Sequence, residues 1–165
     1  MINGFYRLLD KKMLILLVIM LLISPTLCGK NTYTICLVYS HYLTVYLNNV
    51  YLLTVYQYCY RLNALSSYMI TRLKDDAFYT QSYLAIVLFG IFYTLIIYIS
   101  YYFFFGAILS EDLPVTFIFM VLNLVITGFE STIIFLQIGQ KKNFLYLVLP
   151  ILINFIFHII FTKLF

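Results

Sequence analysis

Long apolar runs separated by short polar segments dominate the pattern of this chain. Five runs are long enough to matter, at residues 13–28, 33–60, 82–106, 115–138 and 144–165. A bilayer core is about 30 Å thick, and about 20 apolar helical residues cross it. The pattern therefore predicts an all-α integral membrane protein with about five transmembrane helices in a single membrane domain.

Composition supports the same class of protein. Hydrophobic residues make up 64% of the chain, charged residues 10%, and the mean hydropathy is +1.01. Soluble domains carry about a quarter charged residues. A cleavable signal peptide is the alternative for the first run, because a basic start precedes an apolar stretch that ends at Ser24-Pro25.

Two polar segments are predicted to form further helices. In residues 1–12, Ile2, Phe5, Leu8 and Leu9 fall on one face, which is typical of a helix lying in the membrane interface. Residues 61–81 separate the second and third runs. They predict an amphipathic helix of about five turns, and a plain connecting segment is the alternative.

The cations predict how the chain is oriented. If the N-terminus is cytoplasmic, eight cations lie inside and two outside, as the positive-inside rule favours. The inner set is Arg7, Lys11, Lys12, Arg61, Arg72, Lys74, Lys141 and Lys142, and the outer set is Lys30 and Lys163. We therefore expect a multi-pass protein of the plasma membrane with a cytoplasmic N-terminus, a cytoplasmic segment 61–81 and an extracellular C-terminus.

This order of elements resembles the permease subunits of ABC-2-type exporters, in particular bacterial ones linked to export of, or immunity to, antimicrobial peptides. The similar residues are Arg61, Tyr68, Arg72-Leu73, Phe78-Tyr79, Tyr101-Tyr102 and Gly106. The resemblance implies a transport function, an oligomer in the membrane, and a separate ATPase subunit that docks on the segment 61–81. Under it, Leu65, Met69, Arg72 and Leu73 are the ATPase-coupling residues.

The family usually has six spans, whereas five are predicted here. A half-permease, or an accessory subunit beside a full permease, therefore stays open. The competing hypothesis is a small non-transporting immunity or accessory protein that binds another membrane protein.

Polar residues inside the apolar runs are the other candidates for function. Glu130 is the acidic residue within a predicted span, where a charge costs about 2.5–3.5 kcal/mol and usually faces protein or water. It is interpreted as a gating or substrate contact, or as a carboxyl that holds helices together. Side-chain amides near mid-span either bond across helices or line a polar path; they are Asn48, Asn49, Asn123 and Asn154.

The motifs of common catalytic sites are missing from the sequence. It has no Gly-rich phosphate loop, no HExxH and no GxSxG. We therefore expect no enzymatic activity of its own, no cofactor, no metal and no nucleic-acid partner.

Overall fold

Five helices make up most of the chain. The computed structural model describes residues 8–28, 42–140 and 144–164. These residues contain no strand, so the all-α prediction is confirmed. The helices are α1 (Lys11–Cys28), α2 (Tyr42–Leu73), α3 (Asp75–Phe105), α4 (Leu113–Phe135) and α5 (Leu145–Leu164). Most of the predicted interfacial helix 1–12, the start of the run 33–60 and the cations Lys141 and Lys142 lie outside the described residues.

Helix α2 is the centre of the bundle, because it packs against each of the other four helices. Its buried apolar residues repeat at helical spacing, as Leu47, Tyr51, Val55, Cys59 and Leu62 show. Further buried positions, including Leu52 and Tyr58, widen this face. A helix with neighbours on several sides must bury more than one stripe, and α2 does so.

The segment 61–81 differs from the single helix expected there. Helix α2 continues through residues 61–73, Lys74 follows, and α3 begins at Asp75. Lys74 has φ 66° and ψ 155°, a backbone conformation outside the right-handed helical region, so the helix ends there. The helical packing does not stop at residue 61, because Leu62 is buried and Met69 packs against the core. Segment 61–81 is therefore the corner of a helical hairpin.

Helix α4 has the opposite burial pattern to a helix at the surface of a soluble protein. Its buried residues are mostly polar: Thr116, Asn123, Thr127, Glu130 and Ser131, with Ile126 and Ile134. Its outward positions are large and apolar, with Ile118 63% exposed and Phe129 59% exposed. A soluble surface helix buries the apolar stripe and exposes the polar one.

Two of the described helices, α3 and α4, are long and apolar enough to cross a membrane. Helix α5 contains a shorter apolar stretch, Leu145–Ile160. The total of five spans therefore stays a prediction.

Three segments meet at the end of the bundle nearest the hairpin corner. Arg61 donates to the carbonyl of Leu8 at 2.9 Å and to the carboxylate of Asp10 at 2.6 Å. Asn63 donates to the carbonyl of Gln140 and accepts from the backbone N–H of Gly139, both at 3.0 Å. These contacts fix the start of α1 and the α4–α5 turn against the side of α2.

A backbone hydrogen bond and the ion pair lower the pKa of Asp10 at this end of the bundle. The backbone N–H of Lys12 donates to Asp10 at 2.9 Å. This bond, followed by the bond and charge of Arg61, holds the pKa of Asp10 below its ordinary value of 3.8. Asp10 is therefore a carboxylate at neutral pH, and it accepts from the first turn of α1.

Candidate functional site

A cluster of polar side chains lies inside the bundle where α2, α4 and α5 meet. Asn48 on α2 donates through Nδ2 to Glu130 Oε2 on α4 at 3.1 Å and to Asn154 Oδ1 on α5 at 2.6 Å. Asn154 in turn donates through Nδ2 to Asn49 Oδ1 at 3.0 Å. These four residues are called the polar cluster below. Asn48, Glu130 and Asn154 are each 0% exposed.

Asn48 is the residue that joins the cluster. Its amide nitrogen has two N–H groups, and each one reaches a different helix. Its position on the central helix α2 makes this possible, because α2 packs against both α4 and α5. The cluster is therefore a three-helix connection through one side chain.

Aromatic residues from α2 and α3 adjoin the cluster. The hydroxyl of Tyr51, one helical turn after Asn48, lies 2.9 Å from the hydroxyl of Ser131, the residue after Glu130. Tyr93 on α3 stacks on Tyr51 with the ring centroids 4.2 Å apart. Gly90 allows this packing, because a Cβ there would lie 3.0 Å from the Tyr51 hydroxyl. Sequence reasoning missed these residues, and their helical spacing from Asn48 and Glu130 was the available signal.

Asn123 is not part of the cluster. It is buried on α4, and its Nδ2 lies 3.4 Å from the hydroxyl of Tyr98 on α3. Seven residues separate it from Glu130, which is about 10 Å along a helix. The structure thus brings together Asn48, Asn49, Asn154 and Glu130 and leaves Asn123 at another level.

The predicted coupling residues do not share one exposed face. Leu65 and Arg72 are exposed, whereas Met69 and Leu73 are half-buried and pack against the core. The guanidinium of Arg72 lies over the ring of Tyr68 at 4.4 Å. Leu65, Tyr68 and Arg72 are the exposed large side chains of this part of α2, and we call them the hairpin face.

Two clefts between α3 and α4 have linings that include none of the four residues of the polar cluster. One has a volume of about 350 Å³ and an apolar lining that includes Leu95, Ile99 and Phe117. The other, about 290 Å³, is lined by residues including Gly90, Gly128 and Ser131. Both are lined mainly by apolar atoms, so each suits an apolar group.

The polar cluster can donate and accept hydrogen bonds, but its residue types are poor metal ligands as a set. Within the described residues, no group of three or more His, Cys, Asp and Glu side chains lies together. Glu130 is the titratable member of the cluster, so proton binding is the chemistry that these side chains offer.

Comparison with known proteins gives no relative: no family model, curated protein or solved structure matches the chain. The fold and site define an all-α bundle that is built around a buried polar cluster and exposes an apolar surface.

Proposed function

We propose that this chain is a multi-pass protein of the plasma membrane. The burial pattern of α4 is the main support for this proposal. This helix buries the polar Thr127, Glu130 and Ser131. It exposes the apolar Val125 and Phe129. In water, that exposed apolar surface has an unfavourable free energy; in lipid, the same surface is solvated and the polar side chains must face protein. The apolar lengths of α3 and α4 support the same location.

The hairpin of α2 and α3 is long enough to project from the membrane. The two helices have 32 and 31 residues. At about 1.5 Å per residue each is about 45–50 Å long, whereas the hydrocarbon core is about 30 Å thick. The other described helices have 18, 23 and 20 residues. If the opposite ends of α2 and α3 lie at the far membrane surface, the hairpin corner at Lys74 extends about 15 Å into the water phase, on the side that the positive-inside rule makes cytoplasmic.

A projecting hairpin with an exposed Leu65, Tyr68 and Arg72 suits a protein partner. Aromatic and arginine side chains are enriched at the centres of protein interfaces. Leu65 is 40% exposed and Tyr68 56% exposed, although both belong to a tightly packed helix. With the resemblance to ABC-2-type permeases, this supports the proposal that the chain is the membrane subunit of an exporter for a peptide or other amphipathic substrate, and that the hairpin face docks on a separate ATPase subunit.

A second candidate is a small accessory or immunity protein that does not transport. The polar cluster favours it, because Asn48 donates to both Glu130 and Asn154 within one chain and all three are fully buried. Side chains that lined a path for substrate would instead be open to a cavity. In this case the partner is another membrane protein.

The test is a purification of the tagged full chain in mild detergent, with three forms compared. They are the wild type, the double variant Leu65→Asp plus Tyr68→Asp, and the control Ser67→Asp. Ser67 is exposed on the same stretch of α2, about 160° around the helix from Leu65 and about 100° from Tyr68. We expect an ATP-binding subunit to co-purify at about a one-to-one ratio with the wild type and the control, and to be lost from the double variant.

The other outcomes separate the two candidates. A stoichiometric membrane protein in place of an ATPase, retained by all three forms, would support the accessory role and refute the exporter. An ATPase that the double variant retains in full would refute the hairpin face as its docking site.

A further inference from the structure

Glu130 lies in surroundings that do not suit a negative charge. Its side chain is 0% exposed, and Asn48 is its hydrogen-bond donor. Among the described residues, the ion pair is formed by Asp10 and Arg61 and does not involve Glu130. Along α2, Arg61 is 13 residues from Asn48, or about 20 Å. A buried carboxylate with one neutral donor and no cation has a high desolvation cost.

Two oxygen atoms of the polar cluster lack a hydrogen-bond partner. They belong to the two side chains that bond to each other between α2 and α4. They are Glu130 Oε1 and Asn48 Oδ1. The other halves of these two groups, Glu130 Oε2 and Asn48 Nδ2, are bonded to each other at 3.1 Å. Both unpartnered atoms are acceptors when Glu130 is ionised, so neither one can satisfy the other.

We propose that the polar cluster is a proton-binding site and that Glu130 holds the proton on Oε1 in the folded protein at neutral pH. One proton turns Oε1 into a donor, and Asn48 Oδ1 is the acceptor on the group already bonded to the same carboxyl. The carboxyl and amide then form a closed pair with two hydrogen bonds in opposite directions. The second N–H of Asn48 remains on Asn154 Oδ1.

The titratable groups nearest the polar cluster lie on α2, α3 and α5. Tyr51 on α2 and Tyr93 on α3 are titratable neighbours of Glu130, and a tyrosine is neutral when protonated, so neither brings a positive charge. On α5 the neighbour is the neutral amide of Asn154, and His158 follows one helical turn later. In the part of the chain that the structure describes, no ion pair includes Glu130, so a neutral carboxyl at this position requires its own proton. This inference does not depend on the exporter proposal.

The proton also connects the three helices. With it, α4 is held to α2 by two bonds and α2 to α5 by one through Asn48. Without it, a negative charge on Glu130 remains beside the unpartnered acceptor Asn48 Oδ1 in a closed interior. We therefore expect proton release to require opening of the bundle at this point, which makes the cluster a proton-sensitive joint between α2, α4 and α5.

The sequence makes a direct test possible, because it contains two glutamates, Glu130 and Glu111. Glu111 is exposed in the turn between α3 and α4. We propose to label glutamate with ¹³C at the side-chain carboxyl and to record the carboxyl resonances of the full chain in detergent from pH 5 to pH 9. The variant Glu111→Gln removes one resonance and thereby assigns the other without touching the cluster.

The expected result is one resonance at the position of an ionised carboxylate at pH 7, which Glu111→Gln removes, and one at the position of a protonated carboxyl. An ionised Glu130 at pH 7 would overturn the proposal. Repeating the measurement with sodium chloride replaced by choline chloride tests a bound metal cation instead: a Glu130 resonance that is ionised only with sodium would also overturn it.

Unfolding of the purified variants gives a second, independent readout. Glu130→Gln imitates the protonated carboxyl, since its amide can pair with Asn48 in the same two-bond arrangement. We expect this variant to match the wild type near pH 4, below the ordinary glutamate pKa of about 4.3 in the unfolded chain, and to exceed it by a growing margin as pH rises to 9, whereas Glu130→Ala should be less stable than the wild type near pH 4. A wild type that gains stability relative to Glu130→Gln as pH rises would contradict a bound proton. If Glu130→Gln does not fold, the proposal is likewise overturned, because the imitation should preserve the pair.

Discussion

Replacing Asn48 by leucine tests the role of the residue that joins three helices. Leucine has a similar volume but no hydrogen-bonding group, so the change removes the bonds to Glu130 and to Asn154 without a large cavity. Within membranes, hydrogen bonds between helices contribute about 0.6 kcal/mol on average and up to about 1.7 kcal/mol. The loss of two bonds should therefore lower the free energy of unfolding by about 1–3 kcal/mol.

The matched control is Asn123→Leu on α4. Asn123 is also 0% exposed, but its contact is a single bond of 3.4 Å to the Tyr98 hydroxyl. A bond near the distance limit is weak, and its loss should lower the free energy of unfolding by less than about 0.6 kcal/mol. Both changes remove one buried amide, so they differ in the bonds and not in the chemistry of the substitution.

The assay is reversible unfolding in mixed micelles, with denaturing detergent as the variable and helical circular dichroism as the signal. A difference of 1–3 kcal/mol corresponds to about a 5- to 150-fold change in the folded-to-unfolded ratio. If Asn48→Leu is no less stable than Asn123→Leu, the polar cluster does not hold the bundle together, and the reasoning from its bonds is refuted.

Two further predictions concern close packing and charge. Gly90→Ala should be less stable than Gly128→Ala in thermal unfolding, because a Cβ at residue 90 meets the Tyr51 hydroxyl at 3.0 Å whereas one at residue 128 meets no atom within 4 Å. Gly128→Ala should stabilise the protein by up to about 1 kcal/mol. Equal unfolding temperatures for the two variants would contradict the contact at residue 90. The pKa of Asp10 is lowered by a backbone N–H bond and then by Arg61, so its contribution to stability is present above its ordinary pKa of 3.8 and is lost as pH falls through the lower folded value. Arg61→Gln should raise that pKa in an NMR titration of the carboxyl, and an unchanged titration would show that the ion pair does not act on Asp10.

The helical content of this chain follows from its sequence. Apolar runs of 20 or more residues satisfy their backbone hydrogen bonds within the segment, so the all-α class could be predicted without a partner for any helix. Local residue types also marked some helix ends: Pro114 lies in the first turn of α4, and Gly106 ends α3 with φ 78°. The unusual positions of Glu130 and of the mid-span asparagines were visible for the same reason, because polar side chains stand out in an apolar run.

The tertiary structure decided which of these polar residues meet. Asn48 bonds to residues 82 and 106 positions away, and such pairings depend on the rotation and register of each helix against α2. Apolar runs of this kind hardly fix that rotation, because they are apolar on nearly every face. Packing around a central helix therefore selected Asn154 and Glu130 as partners of Asn48 and left Asn123 with Tyr98.

The same physical reason explains the hairpin. The amphipathic pattern of 61–81 could be recognised in the sequence, but not which of its apolar side chains the protein itself would cover. Packing of α2 on the core takes up Met69 and Leu73 and leaves Leu65 exposed beside Tyr68 and Arg72. The length of the apolar runs thus determined the helices, and contacts between distant segments determined which faces remain exposed and which polar side chains meet.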